Sequence, residues 1–389
     1  RKVMNYVDDK LKEELLALSR YIYDNPELGY EEYKSSAAHA ALLEKHGFQV
    51  QRGYLGIETG FRAEYTKGEG ATVAYLSEYD ALPQVGHGCG HNIMGTLSTG
   101  AAIHLKEHMG DSNGRIVVIG TPAEETDGAK VKYSKDGAFD DVDAALISHP
   151  FCANVKSGIS FALKALRFEF IGRAAHAAAA PEKGINALDA CISTFVNIGL
   201  LRQQIVPTAR IHGIIKDGGT AANTIPEYAC AEFYVRATSK SYLENLAERV
   251  CACAKAGAEA SGAELKITEF ETGNDNLLTN HALQECLCRN LAKVGITDIE
   301  EAGEANGSTD VGNVSHVCPT IHPSWNIMAP GEVYSTHTVE FREATLRQPA
   351  KDALMVNVCA MAMAGKEILD DPELLAEIKR EFAEAVAND

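Results

Sequence analysis

The sequence predicts an α/β protein in which a mainly parallel sheet is interrupted by an inserted ferredoxin-like β-α-β-β-α-β unit. Three observations carry this expectation. Short, continuously apolar strands alternate with helical stretches up to about residue 160, the pattern of a parallel sheet covered on both faces. Residues 161–271 then change to four strands set around two helices. Finally, 389 residues exceed what one compact core holds, so we expect a catalytic domain from residues 1–160 and 272–389 and a second domain from 161–271.

Taken in order, residues 8–24 read as an amphipathic helix, with Leu11, Leu15, Leu18 and Ile22 at helical steps and Asn25-Pro26 as the stop. A second helix runs from about Tyr30 to His46 and ends at Gly47, after which Phe48 to Val50 is extended. Thr72 to Ser77 is an apolar strand that runs into Glu78, Asp80 and Pro83. Arg115 to Gly120 runs likewise into Thr121-Pro122-Ala123-Glu124-Glu125, and Asp143 to Ser148 into His149-Pro150. Sheets of this kind place their chemistry at the carboxyl ends of strands, so Asp80, Glu124, Glu125 and His149 should share one rim.

Between the first two of these strands lies the most informative stretch, Val85 to Gly95, where Cys89, His87 and His91 stand among glycines. Cys89 and His91 are two apart, close enough to aim at one ion, and the glycines free the backbone to do it. Ile93, Leu97, Ala101 and Leu105 then predict a helix from His91 to His108. The inserted unit reads as strand Leu163–Ile171, helix Gly184–Arg202, strands Arg210–Lys216 and Tyr228–Arg236, helix Ser239–Ser261 and strand Glu264–Phe270. A helix near 280–294, a turn-rich region and an Ala- and Met-rich helical stretch close the chain.

Composition narrows the function. A net charge of -18, with no dense Lys/Arg cluster, argues against nucleic acid and anionic membranes as partners. No stretch has the length of a membrane span and the first residues lack an apolar signal core, so we expect a cytoplasmic protein. Ten cysteines in this length are too sparse for a disulfide scaffold, and Cys251-Ala-Cys253 and Cys286-Leu-Cys288 fall in helical stretches without a second ligand pair nearby.

Adjacent carboxylates on extended backbone point in different directions, so Glu124 and Glu125 can divide labour: one binds a metal, the other takes a proton from water on that metal. His104 and His108 have helical ligand spacing but lack the Glu that zinc proteases place after the first His, and read as an exposed helix end. Gly218 to Asn223 lacks the lysine of a phosphate loop and reads as a turn with a substrate role.

Asp80-Ala-Leu-Pro83, His87-Gly-Cys89-Gly-His91, Pro122-Ala-Glu124-Glu125, Ser148-His149-Pro150, Gly172-Arg-Ala-Ala-His176, Gly219 to Pro226, and Gly307-Ser-Thr-Asp310 followed by His337 together carry a resemblance. Over essentially its whole length the chain resembles the zinc-dependent metallopeptidases related to aminoacylase and carboxypeptidase G. Within them it is similar to the amidohydrolase branch of indoleacetyl-amino-acid hydrolases, p-aminobenzoyl-glutamate hydrolases and Xaa-Arg dipeptidases. The resemblance implies two divalent metal ions, zinc first, with manganese, cobalt or nickel as alternatives. Cys89 would bridge them, with His91 and His149 completing one site and Glu125 and His337 the other. Glu124 would be the general base, Asp80 the acid that orients a ligand, and His176 a histidine lent across a dimer interface to polarise the scissile carbonyl. Asn223 and Arg236 would hold substrate.

The implied function is hydrolysis of the amide bond of small N-acyl amino acids or dipeptides by a metal-activated water, in a homodimer joined through an inserted lid domain. Departures are Asn92 where the family has Asp, Glu78-Tyr79 before Asp80, and Ser308-Thr-Asp310 for the commoner Ser-Glu-Asp. The altered Asn92 motivates an alternative, a catalytically silent relative that binds amino-acid conjugates as a sensor. A third reading, a cysteine-based zinc buffer, requires many ions per chain.

Overall fold

The computed structural model describes residues 3–389. These fall into two compact units: the first runs to Ile159 and resumes with Leu277–Glu304 and Asp310–Asn388, and the second comprises Ser160–Asn276, Ala305–Thr309 and Asp389.

The first unit is built on a six-stranded sheet in the order Gln49–Arg52, Phe61–Lys67, Gly114–Gly120, Thr72–Ser77, Ala144–Leu146, Thr320–Ile321. The last four strands run parallel to one another. The first two join antiparallel, and Phe61–Lys67, whose polar residues hide it in the sequence, makes the sheet mixed. Val73, Tyr75, Ile116 and Val118 enter one core, while their neighbours Ala74, Leu76, Val117 and Ile119 enter another. Successive strand residues face opposite ways, so a sheet buried on both sides needs unbroken apolar runs. Each Val, Leu or Ile among them contributes about 1.5–3 kcal/mol when fully buried.

Helix His91–Glu107 lies against this sheet and against helices Asp9–Asp24 and Gln348–Asp370, with every residue from His91 to Leu105 buried. Gly95 allows the approach, since a Cβ there would stand 2.3 Å from the carbonyl oxygen of Glu78. The same burial overturns the expectation of an exposed end at His104 and His108. His104 is inaccessible, with Nε2 2.7 Å from the Met4 carbonyl, and His108 Nδ1 donates to the His104 carbonyl at 2.8 Å. The second helix begins at Tyr33 rather than Tyr30, because Tyr30 takes a left-handed φ of 65° and belongs to the preceding turn.

In the second unit the strand order is Glu264–Asn274, Ala162–Ile171, Tyr228–Ala237, Arg210–Asp217, all antiparallel, the β-α-β-β-α-β arrangement. Helices Ala187–Leu201 and Lys240–Ser261 cover it, capped by the side chains of Asn186 and Ser239. Their Ala190, Cys191, Leu246 and Val250 share a core with Phe168, Phe170 and Phe233 of the sheet. The first and last strands are neighbours, and Asn274 Nδ2 donates to the Phe161 carbonyl at 3.0 Å, so this unit's two ends lie side by side. Among the described residues no helix is long and apolar enough to cross a membrane, and all ten cysteines are free.

Candidate metal centre and active site

Strands Thr72–Ser77, Gly114–Gly120 and Ala144–Leu146 are parallel, so the residues that follow each of them emerge at one rim. Two left-handed non-glycine residues shape that rim. Ala123, at φ 62°, precedes Glu124, which groups with Glu78 and His91, and Glu125, which groups with Cys89 and His337; His337, at φ 67°, donates its backbone N–H to the Gly88 carbonyl at 2.8 Å. Such conformations persist only where the surroundings over-determine them. Gly90 is equally constrained: it is left-handed at φ 78°, and a Cβ there would meet Pro150 at 2.8 Å and Phe341 at 3.0 Å.

Cys89, His91 and His149 offer ligand atoms that all lie within 4.8 Å of one another, and so do Cys89, Glu125 and His337. Cys89 belongs to both trios. Asp80 occupies the far side of His91, its Oδ1 2.9 Å from Nδ1, and its Oδ2 accepts the Glu125 N–H at 3.0 Å. His149 Nδ1 donates to the Pro150 carbonyl at 2.7 Å, which leaves Nε2 to face Cys89 Sγ at 3.2 Å. His337 Nε2 stands 3.4 Å from Glu125 Oε1. The donor set of one thiol, three imidazoles and carboxylates suits divalent transition metals, and in His91 and His149 the engagement of Nδ1 leaves Nε2 for the centre.

Without an ion, the negative groups of the centre favour positive charge among them, which a bound cation would supply in place of a proton on His91. Burial opposes a charged imidazole at His91, yet Asp80, Cys89 and Glu78 overcome it and hold His91 well above the ordinary histidine range. Burial pushes the Cys89 thiol well up, so it becomes a thiolate when a cation offsets the charge. Burial, then the charges of Glu78 and Glu125, raise Glu124 well above the carboxylate range, which makes it a group able to take and return a proton.

Three residues to which sequence reasoning attached no role join this centre. Glu78, Lys130 and Asp310 are buried, with Lys130 Nζ 2.8 Å from Glu78 Oε1 and 3.0 Å from Asp310 Oδ1. The imidazole of His322 lies 6.1 Å from that of His149, ring centre to ring centre. Asn92, the departure that motivated a silent relative, donates to Ser19 Oγ at 3.3 Å and Thr345 Oγ1 at 3.2 Å, supporting helix packing instead of the rim.

Glu32 is a further support, because its Oε2 accepts the Ala123 N–H at 2.9 Å. Burial, then the charge of Asp80, pushes its carboxyl up to about 8. A pKa raised in the folded state favours the protonated native protein, so the associated stability is present at low pH and is lost as pH rises through about 8. Glu32→Gln keeps an acceptor oxygen and removes the titration. Its melting temperature should fall less over that range than the wild type's, and an identical fall would exonerate this carboxyl.

In the second unit His176 is exposed, and its Nδ1 accepts the N–H groups of Ala178 at 3.3 Å and Ala179 at 3.1 Å. Two donors on Nδ1 place the proton on Nε2, leaving a fixed N–H donor. Asn223 is its neighbour: His176 bridges to Thr224, and Ala177 N–H donates to the Asn223 carbonyl at 2.9 Å. Arg236 sits at the opposite end of strand Tyr228–Ala237, where Nε donates to His212 Nε2 at 3.1 Å and Nη1 to Ser308 Oγ at 3.2 Å.

Comparison with known proteins now decides the affiliation. The profile of peptidase family M20/M25/M40 matches residues 74–351. The chain belongs to this family. A mouse Xaa-Arg dipeptidase is 36% identical over 96% of this chain and 90% of its own length. A p-aminobenzoyl-glutamate hydrolase polypeptide of Escherichia coli is 30% identical over 76% of this chain and 66% of its own length. A solved dinuclear metal-binding peptidase of the M20 family from Bacillus subtilis superposes with a TM-score of 0.71, covering 93% of this chain and 99% of that one at 21% identity. The α/β fold with its added antiparallel sheet is therefore the M20 fold, and the protein is a hydrolase of the peptidase type.

Proposed function

We propose that this M20 member is a two-ion amidohydrolase that cleaves dipeptides or small N-acyl amino acids. The observation that carries this is the pair of ligand trios sharing Cys89, with Glu124 beside them. Cys89, His91 and His149 would hold one divalent ion, and Cys89, Glu125 and His337 the other, zinc being the first candidate for a mixed sulfur, nitrogen and oxygen set. Bound there, the ions would polarise the scissile carbonyl and acidify a water. Asp80 fixes the His91 ring so that Nε2 faces inward. Glu124 accepts a proton from the attacking water and returns it to the leaving amine. Lent across the dimer interface, as the resemblance implies, His176 would supply its Nε2–H to the carbonyl oxygen as charge develops, and Asn223 and Arg236 would hold the substrate.

The names of the mouse and E. coli relatives support dipeptides and amino-acid conjugates as substrates. A net charge of -18 also favours the approach of a cationic side chain such as Arg. A homodimer through the second unit is supported by its uncovered apolar surface. Ile192, Val196 and Leu200 repeat at four-residue steps on the exposed side of helix Ala187–Leu201, and Ile214 and Ile215 are exposed on the edge strand Arg210–Asp217. We place the enzyme in the cytoplasm because ten unpaired cysteines suit a reducing compartment.

The test is metal content per purified chain, with amine release from Xaa-Arg dipeptides and N-acyl amino acids with and without chelator. About two ions per chain and chelator-sensitive release are expected, from a species that sediments as a dimer. A reconstituted chain that holds no metal and releases no amine would sink the proposal.

A further inference from the structure

The turn from Asn25 to Glu32 joins helices Asp9–Asp24 and Tyr33–Lys45, and it touches two of the strand-end loops that carry acids to the rim. All of these segments belong to the first unit. The N–H of Ala81, the residue after Asp80, donates to the Glu27 carbonyl at 2.8 Å. Three residues of the turn meet the second loop. Glu32 Oε2 accepts the Ala123 N–H at 2.9 Å, and the Tyr30 hydroxyl donates to the Asp127 carbonyl. Gly29 packs so closely that a Cβ there would stand 2.7 Å from Thr126 Oγ1 and 2.9 Å from the Cβ of Ala123. The turn is itself anchored, because the Glu27 carboxylate accepts the N–H groups of Lys34 at 2.9 Å and Ser35 at 2.8 Å in the first turn of the second helix. Gly29 and Glu32 converge on Ala123, which is inaccessible and left-handed at φ 62°. An alanine keeps such a backbone only under constraint from its surroundings, and withdrawing Glu32 would strip its buried N–H of this acceptor.

We propose that Gly29 and Glu32 are positioning residues for turnover: they hold Ala123 left-handed and so set where the carboxylate of the next residue, Glu124, stands at the rim. The proposal rests on the general-base reading of Glu124 and goes beyond it by giving control over the base to a turn far upstream in the chain. Neither Gly29 nor Glu32 belongs to a ligand trio. Their influence should therefore fall on kcat and leave metal content and KM near the wild-type level, since a proton-transfer group displaced by about 1 Å can cost up to about 100-fold in rate. The competing account is that the turn serves the stability of the fold alone. In that case its variants would melt earlier, and those chains that remain folded would turn over at the wild-type rate.

The experiment compares zinc-loaded, full-length wild type with Glu32→Leu, Glu32→Gln and Gly29→Ala. Each is followed by circular dichroism melting, metal analysis and steady-state kinetics on an Xaa-Arg dipeptide, at a temperature where all are folded. Leucine fills the space of Glu32 without an acceptor, and glutamine restores one. Gly29 does not take a left-handed φ, so alanine suits its backbone and acts through the added methyl alone. Glu32→Leu and Gly29→Ala should each lose about tenfold to 100-fold in kcat at nearly constant KM, and Glu32→Gln should recover most of it. A folded Glu32→Leu with wild-type kcat, or a Glu32→Gln as slow as Glu32→Leu, would overturn the proposal. Loss of an ion in step with kcat would also overturn it, by assigning the effect to Glu125. Should Glu32→Leu not fold, Gly29→Ala carries the same test. If wild type releases no amine, the hydrolase reading fails first, and crystal structures of the variants still decide the role of the turn. Ala123 leaving its left-handed φ, or the Glu124 carboxylate displaced by about 1 Å or more, supports it, and an unmoved loop overturns it.

Discussion

Glu124→Gln should lower kcat on a dipeptide by roughly 10²–10⁴-fold while metal content stays at the wild-type level. The change is nearly isosteric, and the backbone around it is held from elsewhere: Glu32 takes the Ala123 N–H and Asp80 takes the Glu125 N–H. What the amide lacks is the ability to receive a proton. The carboxyl it replaces is raised by burial and then by Glu78 and Glu125, the direction that strengthens it as a proton acceptor. KM should change little, because the role proposed for the side chain is proton transfer and not substrate holding. Steady-state kinetics with metal analysis on the same preparation checks this, and undiminished turnover would remove Glu124 from the mechanism.

Cys89→Ala should cost both ions together, by about 100-fold or more in affinity. Its sulfur is the one atom common to the two ligand trios, whereas His337 belongs to one of them. His337→Ala should therefore leave one ion in place, and the contrast between the two variants is the informative measurement. Equal metal content in Cys89→Ala and wild type would show that the thiol bridges nothing. Loss of both ions in His337→Ala would show that the two positions are not separable.

Several elements were legible because one local pattern decided them. Thr72–Ser77 is a run of apolar residues with no competing helical period, and it occurs as read. Ile93, Leu97, Ala101 and Leu105 define the helix after the glycine-rich loop, and that helix runs from His91 to Glu107. Local patterns fail where burial comes from distant chain. His104 has Lys106 and Glu107 beside it and looks like a surface residue, but the helix is enclosed on all sides and the ring finds its partner at Met4. The pairing of Glu78 with Lys130 is invisible for the same reason. An acid at a strand end and a lysine in a short helix are solvated by default, and only the fold brings them together with Asp310. Phe61–Lys67 escaped because more than half of its residues are polar, among them Arg62, whose guanidinium is buried against Asp141 and Glu64.

The side-by-side ends of the second unit bear on the order in which the chain can fold. Strand Thr320–Ile321 must find Ala144–Leu146, and Ser324–Asn326 must find His149–Phe151, across the whole of Ser160–Asn276. If that stretch were an open coil, its closure would be an entropic burden on the sheet, growing by about 0.6 kcal/mol with each doubling of length. Once Ala162–Ile171 and Glu264–Asn274 have paired, its two ends are already adjacent, and the loop still to be closed is the shorter one made by the segments that flank the inserted unit. The inserted unit thereby acts as a hairpin for the larger one. The most economical route has it fold during synthesis, ahead of the sheet edge that waits for residues 320–326, with His337 arriving at the rim last.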